Sequence, residues 1–155
     1  MQQSILVLLF LTAAGPSLSA NLDALVQLLS PAYLAENVAV VCTANDPTFA
    51  TETSGRHGAM GAYAQNMKEE IIAGLDDGEA NTVLRRAADA ARAAALMAIR
   101  ANEAPTPDEE RRKLIAWCQT SGRPFVQSII ISQDQKYDTF KEAVARAKSS
   151  LMLGR

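Results

Sequence analysis

The sequence predicts an all-α, single-domain bundle of about six helices closed by one disulfide. Three observations carry that expectation. First, the 155-residue chain is 48% hydrophobic and 21% charged, as in a globular domain, but only 5% aromatic. A core built from alanine and aliphatic side chains suits close-packed helices better than a sandwich or barrel. Second, apolar residues recur at steps of three and four in one segment after another, the period of one helix face. Third, capping residues and prolines divide the chain at intervals that suit helices and short connections. A chain of this length holds one hydrophobic core rather than two.

The N-terminus reads as an export signal. Ile5–Ala14, ILVLLFLTAA, is an unbroken apolar run, followed by Gly15-Pro16 and the small residues Ser17, Ser19 and Ala20. These are the apolar and cleavage regions of a secretory signal peptide, although the opening MQQS contributes no Lys or Arg. The run is about half the roughly 20 residues that a membrane span needs. Residues 1–20 are therefore assigned to a signal peptide cut after Ser19 or Ala20, and 21–155 to the helical domain. The mature chain is expected to be periplasmic or secreted, with no stable membrane span.

Export gives the two cysteines, Cys42 and Cys118, their meaning. In an oxidising compartment a pair of cysteines in a small domain forms a bridge. Each follows an apolar segment, NVAVV and KLIAW respectively, so each sits at the edge of a buried stretch. A bridge closing so long a loop stabilises by roughly 4 kcal/mol through the unfolded state, less any strain. A reactive thiol or a zinc site is the weaker reading: neither cysteine lies in a CxxC pair and the chain has one histidine.

The elements follow in order. NLDALVQLL places Leu22, Leu25, Val26 and Leu29 on one side of a short helix. Ser30-Pro31 reads as N-cap and first position of a second helix, Pro31 to about Cys42, although NVAVV alone also suits a strand. Thr43–Gly55, with Asn45-Asp46-Pro47, reads as a loop. From His57 to Leu75, Met60, Tyr63, Met67, Ile71 and Leu75 form one apolar stripe. Asp76 and Glu79 form a capping-box pattern opening a helix that runs to about Asn102. Its stripe of Leu84, Ala87, Ala91, Ala94 and Ala98 is nearly all small, and is expected to let another helix approach closely. Thr106, Pro107 and Glu109 supply N-cap, first position and capping-box partner for a helix to about Gln119, which TSGRP ends. FVQSIIIS, residues 125–132, is open between helix and strand. Tyr137, Phe140, Val144, Ala147 and Leu151 mark a final helix.

Function is less legible. The net charge is −2, with basic and acidic residues interspersed, so no basic tract points to nucleic acid. GxSxG, HExxH, P-loop and GxGxxG patterns are absent, and no catalytic residue or cofactor is assigned. SGRHGAMG resembles a glycine-rich helix start, where N–H groups and Arg56 hold an anion, but any helix entered from a flexible loop has the same look. His57, Met60 and Met67 share a helix face and have the ligand softness for Cu(I). Core packing of the two methionines is the favoured reading. Glu69, Glu70, Asp76 and Asp77 are read as solvated caps around a helix junction.

The long segment Thr43–Gly55 with the adjoining Arg56 and His57 reads either as a tolerated surface loop or as the contact surface, with Asp46, Phe49, Glu52, Arg56 and His57 as its contact residues. The resulting expectation is a non-catalytic exported protein that binds another macromolecule. Chaperones, inhibitors and accessory factors are the analogous classes, with another protein of the cell envelope as partner. The alternatives are a periplasmic small-molecule or metal carrier, and a small helical enzyme whose polar groups converge only in three dimensions.

Overall fold

The computed structural model describes residues 18–153, with side chains at 22–49, 63–129 and 135–153. The expected signal peptide lies almost wholly outside the described residues. The chain forms α1 (Leu18–Asn45), α2 (Pro47–Ile72), α3 (Asp77–Arg100), α4 (Pro107–Trp117), a π-helical turn (Cys118–Gly122) and α5 (Arg123–Leu153). No strand occurs among the described residues, so NVAVV and FVQSIIIS are both helical. The all-α bundle of six helical elements agrees with the sequence reading. Cys42 and Cys118, 76 positions apart, are joined by a disulfide.

α1 is the central element, packed on α2, α3 and α5 and touching α4. Its stretch Leu22–Asn45 is long and apolar enough to cross a membrane by length and composition alone. Part of that apolarity is buried: Leu25, Leu29, Ala32, Ala35 and Ala39 are fully covered by the neighbouring helices, while Val40 is 64% exposed. One core cluster joins Leu22, Leu25 and Leu29 to Met67, Ile71, Val83, Val144 and Leu151. A second surrounds the disulfide with Val38, Phe49 and Val126.

Three boundaries differ from the sequence reading. Ser30-Pro31 does not begin a helix; α1 runs through it. An interior proline removes one backbone hydrogen bond and costs about 3 kcal/mol in isolation. Buried Leu29 and Ala32 on either side keep the two halves on one axis, and the Ser30 hydroxyl donates to the Val26 carbonyl at 2.7 Å. Second, Thr43–Gly55 is not a loop: α1 extends to Asn45 and α2 starts at Pro47. Asp46 caps α2 and Pro47 occupies its first turn, where a missing N–H costs nothing. Third, TSGRP does not end the path of α4. The chain widens into the π turn, with the Arg123 N–H donating to the Cys118 carbonyl, and continues as α5. The two segments expected at 125–132 and 137–151 are the halves of α5, separated by non-helical backbone at Lys136.

Other caps follow the sequence. Asp76 and Glu79 complete both halves of a capping box, and the Thr106 hydroxyl accepts from the Glu109 N–H. Between α2 and α3 the chain turns at Gly74, whose φ of 77° is the left-handed conformation that favours glycine. The end of α2 is held from α5: Lys148 Nζ donates to the Glu70 and Ala73 carbonyls at 2.5 and 2.7 Å. Burial pushes the Lys148 ammonium below its ordinary pKa, against a smaller opposing pull from Glu70.

Candidate contact surface

The segment selected from sequence is a structural joint. The Asp46 carboxylate is only 4% exposed and accepts from the Thr48 backbone N–H at 2.9 Å and hydroxyl at 2.7 Å. Gln119 Nε2 donates to its second oxygen at 3.2 Å, and the Arg123 guanidinium stands 3.9 Å away. The Thr48 hydroxyl, followed by the other hydrogen bonds, holds the carboxyl below its ordinary pKa despite the opposing effect of burial. Arg123 also lies over the Phe49 ring, 5.7 Å from its centroid. One carboxylate thus ties the start of α2 to the π turn and the start of α5, next to the disulfide.

That geometry takes two of the expected recognition residues, Asp46 and Phe49, out of a contact surface. Phe49, expected as an aromatic anchor for a partner, is fully buried in the disulfide cluster. Asp46 is turned inward on internal donors. Glu52, Arg56 and His57 fall within α2, and their side chains lie outside the described residues. SGRHGAMG is mid-helix, so its backbone does not offer the N–H groups of a helix start; that end is at Pro47. Met67 packs in the main core cluster, while the side chains of His57 and Met60 lie outside the described residues.

The surface with most to offer a partner is elsewhere. α3 packs almost entirely on α1. Ala87 and Ala91 are buried in that contact, as the small stripe predicted, while Ala94 is half-covered. Beside the contact, α1 and α3 border an open groove of about 400 Å³. Its walls are apolar: Val26, Pro31 and Leu34 from α1, Ala90 and Ala94 from α3, and Phe125 from α5. One turn beyond Ala94, Met97 is 72% exposed, and Leu96 next to it is 47% exposed. Met97 and Leu96 thus stand exposed at the end of an apolar trough.

Sequence reasoning missed this groove, although its signal was present in the alanines. Val83, Ala87, Ala90, Ala94, Met97 and Ala101 alternate steps of four and three, the spacing of a helix-packing seam. Only the first two are buried; from Ala90 onward the seam leaves α1 and faces outward. Gln119 and Arg123 as partners of Asp46 had no local signal, because the contacts span more than 70 positions. Comparison with protein-family models, curated proteins and solved structures gives no match to this chain.

Proposed function

We propose that this is an exported, disulfide-clamped helical protein that acts by binding another protein chain through the α1–α3 face. The groove bordered by Pro31, Leu34, Ala90 and Ala94 carries the reading, because it puts an open apolar trough on a well-packed scaffold. A carrier or enzyme asks for polar groups converging on a concavity, whereas the lining of this one is mostly apolar, with Gln27 and Ser30 as its polar members. Two further features support export: the disulfide belongs to an oxidising compartment, and an apolar helix stands near the N-terminus. α3 is packed on α1 through buried Val83, Ala87 and Ala91, so the face is presented with little ordering cost on binding.

The test is capture by tagged protein in its own cell envelope, comparing wild type with an Ala94→Glu, Met97→Glu variant and a Ser149→Glu control. A chain bound by wild type and control but lost from the face variant is expected. Equal capture by all three places the surface elsewhere.

A further inference from the structure

We propose that the occupant of the α1–α3 face is a second copy of this chain, packed through α3 in antiparallel, two-fold symmetric fashion. The inference rests on the reading of that face as protein-binding and names its partner. Three observations lead to it. The seam Ala90, Ala94, Met97, Ala101 keeps helix-packing spacing after it has left α1, so it is patterned for a second helix. Its small residues form a groove and Met97 a knob, so the face carries both halves of one contact. A two-fold interface needs that self-complementarity, since the same patch serves both partners.

The charges fit the same arrangement. A two-fold axis between residues 93 and 94 sets Met97 of each copy over Ala90 of the other. Asp89 and Arg100 are 11 positions apart, about three turns, and so lie on one side of the helix, both exposed. The reversal brings Asp89 of one copy within two residues, about 3 Å along the axis, of Arg100 of the other. The pair forms twice, flanking the apolar seam, and Arg86 on the same flank is held by Asp23 of its own chain. Within one chain Asp89 pairs with Arg92 at 3.9 Å, an exposed and weak contact that leaves its carboxylate open to solvent. A parallel two-fold arrangement puts the two copies' flanks on opposite sides of the seam and leaves Asp89 and Arg100 11 positions apart, so the pair does not form.

Sedimentation equilibrium of the mature, oxidised protein tests the proposal. A reversible dimer is expected, weakened at least tenfold by Met97→Asp. That substitution removes an exposed side chain, and circular dichroism of the dilute variant checks that its helices are intact. Asp89→Arg and Arg100→Asp should each weaken the dimer, and the double exchange should restore it. A wild type that stays monomeric at every concentration, or a dimer indifferent to Met97→Asp, overturns the proposal. So does a double exchange that fails to recover what the singles lose. If the chain is monomeric yet a different protein is captured through Ala94 and Met97, the second copy is wrong and the protein-binding face stands. Loss of both takes down the face itself.

Discussion

Gly122 lies directly against Cys42: a Cβ built on it would stand 3.1 Å from the Cys42 sulfur and 3.2 Å from Val38 Cγ1. Both neighbours are pinned, one by the disulfide and the other by the core around it. Gly122→Ala therefore cannot be absorbed by rotating a loose side chain, and should destabilise by about 1–3 kcal/mol through overpacking. Urea unfolding at fixed pH checks this. A variant as stable as wild type would mean that α1 and the π turn separate freely.

The bridge itself should be a major contributor. Replacing Cys42 and Cys118 together by Ala should lower stability by roughly 2–5 kcal/mol. Amide exchange should rise first around the α1–α2 joint and the π turn, because those are the parts it holds together. Intact-mass measurement of the exported protein before and after reduction should find the bridge closed and the chain starting near Ala20 or Asn21. Two free thiols, or a retained leader, would contradict that.

Asp46 links stability to acid. Its carboxyl is held below its ordinary pKa in the fold by Thr48 and Gln119, and its unfolded value is about 4. A group depressed in the folded state contributes stability at pH above that unfolded value and loses it as pH falls through the folded one. The melting temperature of wild type should thus drop below about pH 4, and Asp46→Asn should flatten that part of the profile. The same variant should melt lower than wild type at neutral pH, because the cap on Thr48 weakens. Identical profiles would remove Asp46 from the joint.

The two sides of the alanine helix predict opposite outcomes for one substitution. Ala91 is buried against α1, so Ala91→Leu should cost about 1–3 kcal/mol. Ala90, its neighbour, is exposed on the groove, and Ala90→Leu should leave the melting of the dilute protein within about 0.5 kcal/mol of wild type. Equal effects would mean that the boundary between contact and groove is misplaced.

What was legible in the sequence was whatever depends on neighbours within a turn or two. The capping box at Asp76, the Thr106 N-cap and the core positions Met67 and Ile71 are of that kind. The proline signals show the limit. Thr106-Pro107 and Asp46-Pro47 open helices as N-cap and first position, yet Ser30-Pro31 has the same chemistry and lies inside one. The difference is burial of Leu29 and Ala32 against helices far along the chain, which no local pattern reports. The site was less legible for the same reason. Asp46 and Phe49 have the composition of a recognition loop, but Gln119 and Arg123 turn them inward. The groove in turn depends on the angle at which α3 leaves α1.

If the α1–α3 face binds another chain, that chain lies against Leu34, Ala90 and Ala94. Site-specific photo-crosslinking in the intact cell tests it most directly, with the photoreactive residue placed in turn at Leu34, Ala90, Ala94, Ser149 and Lys113. One discrete adduct is expected from Leu34, Ala90 and Ala94, and none from Ser149 on α5 or Lys113 on α4. An adduct formed from Ser149 or Lys113 while the three groove positions stay silent would contradict it.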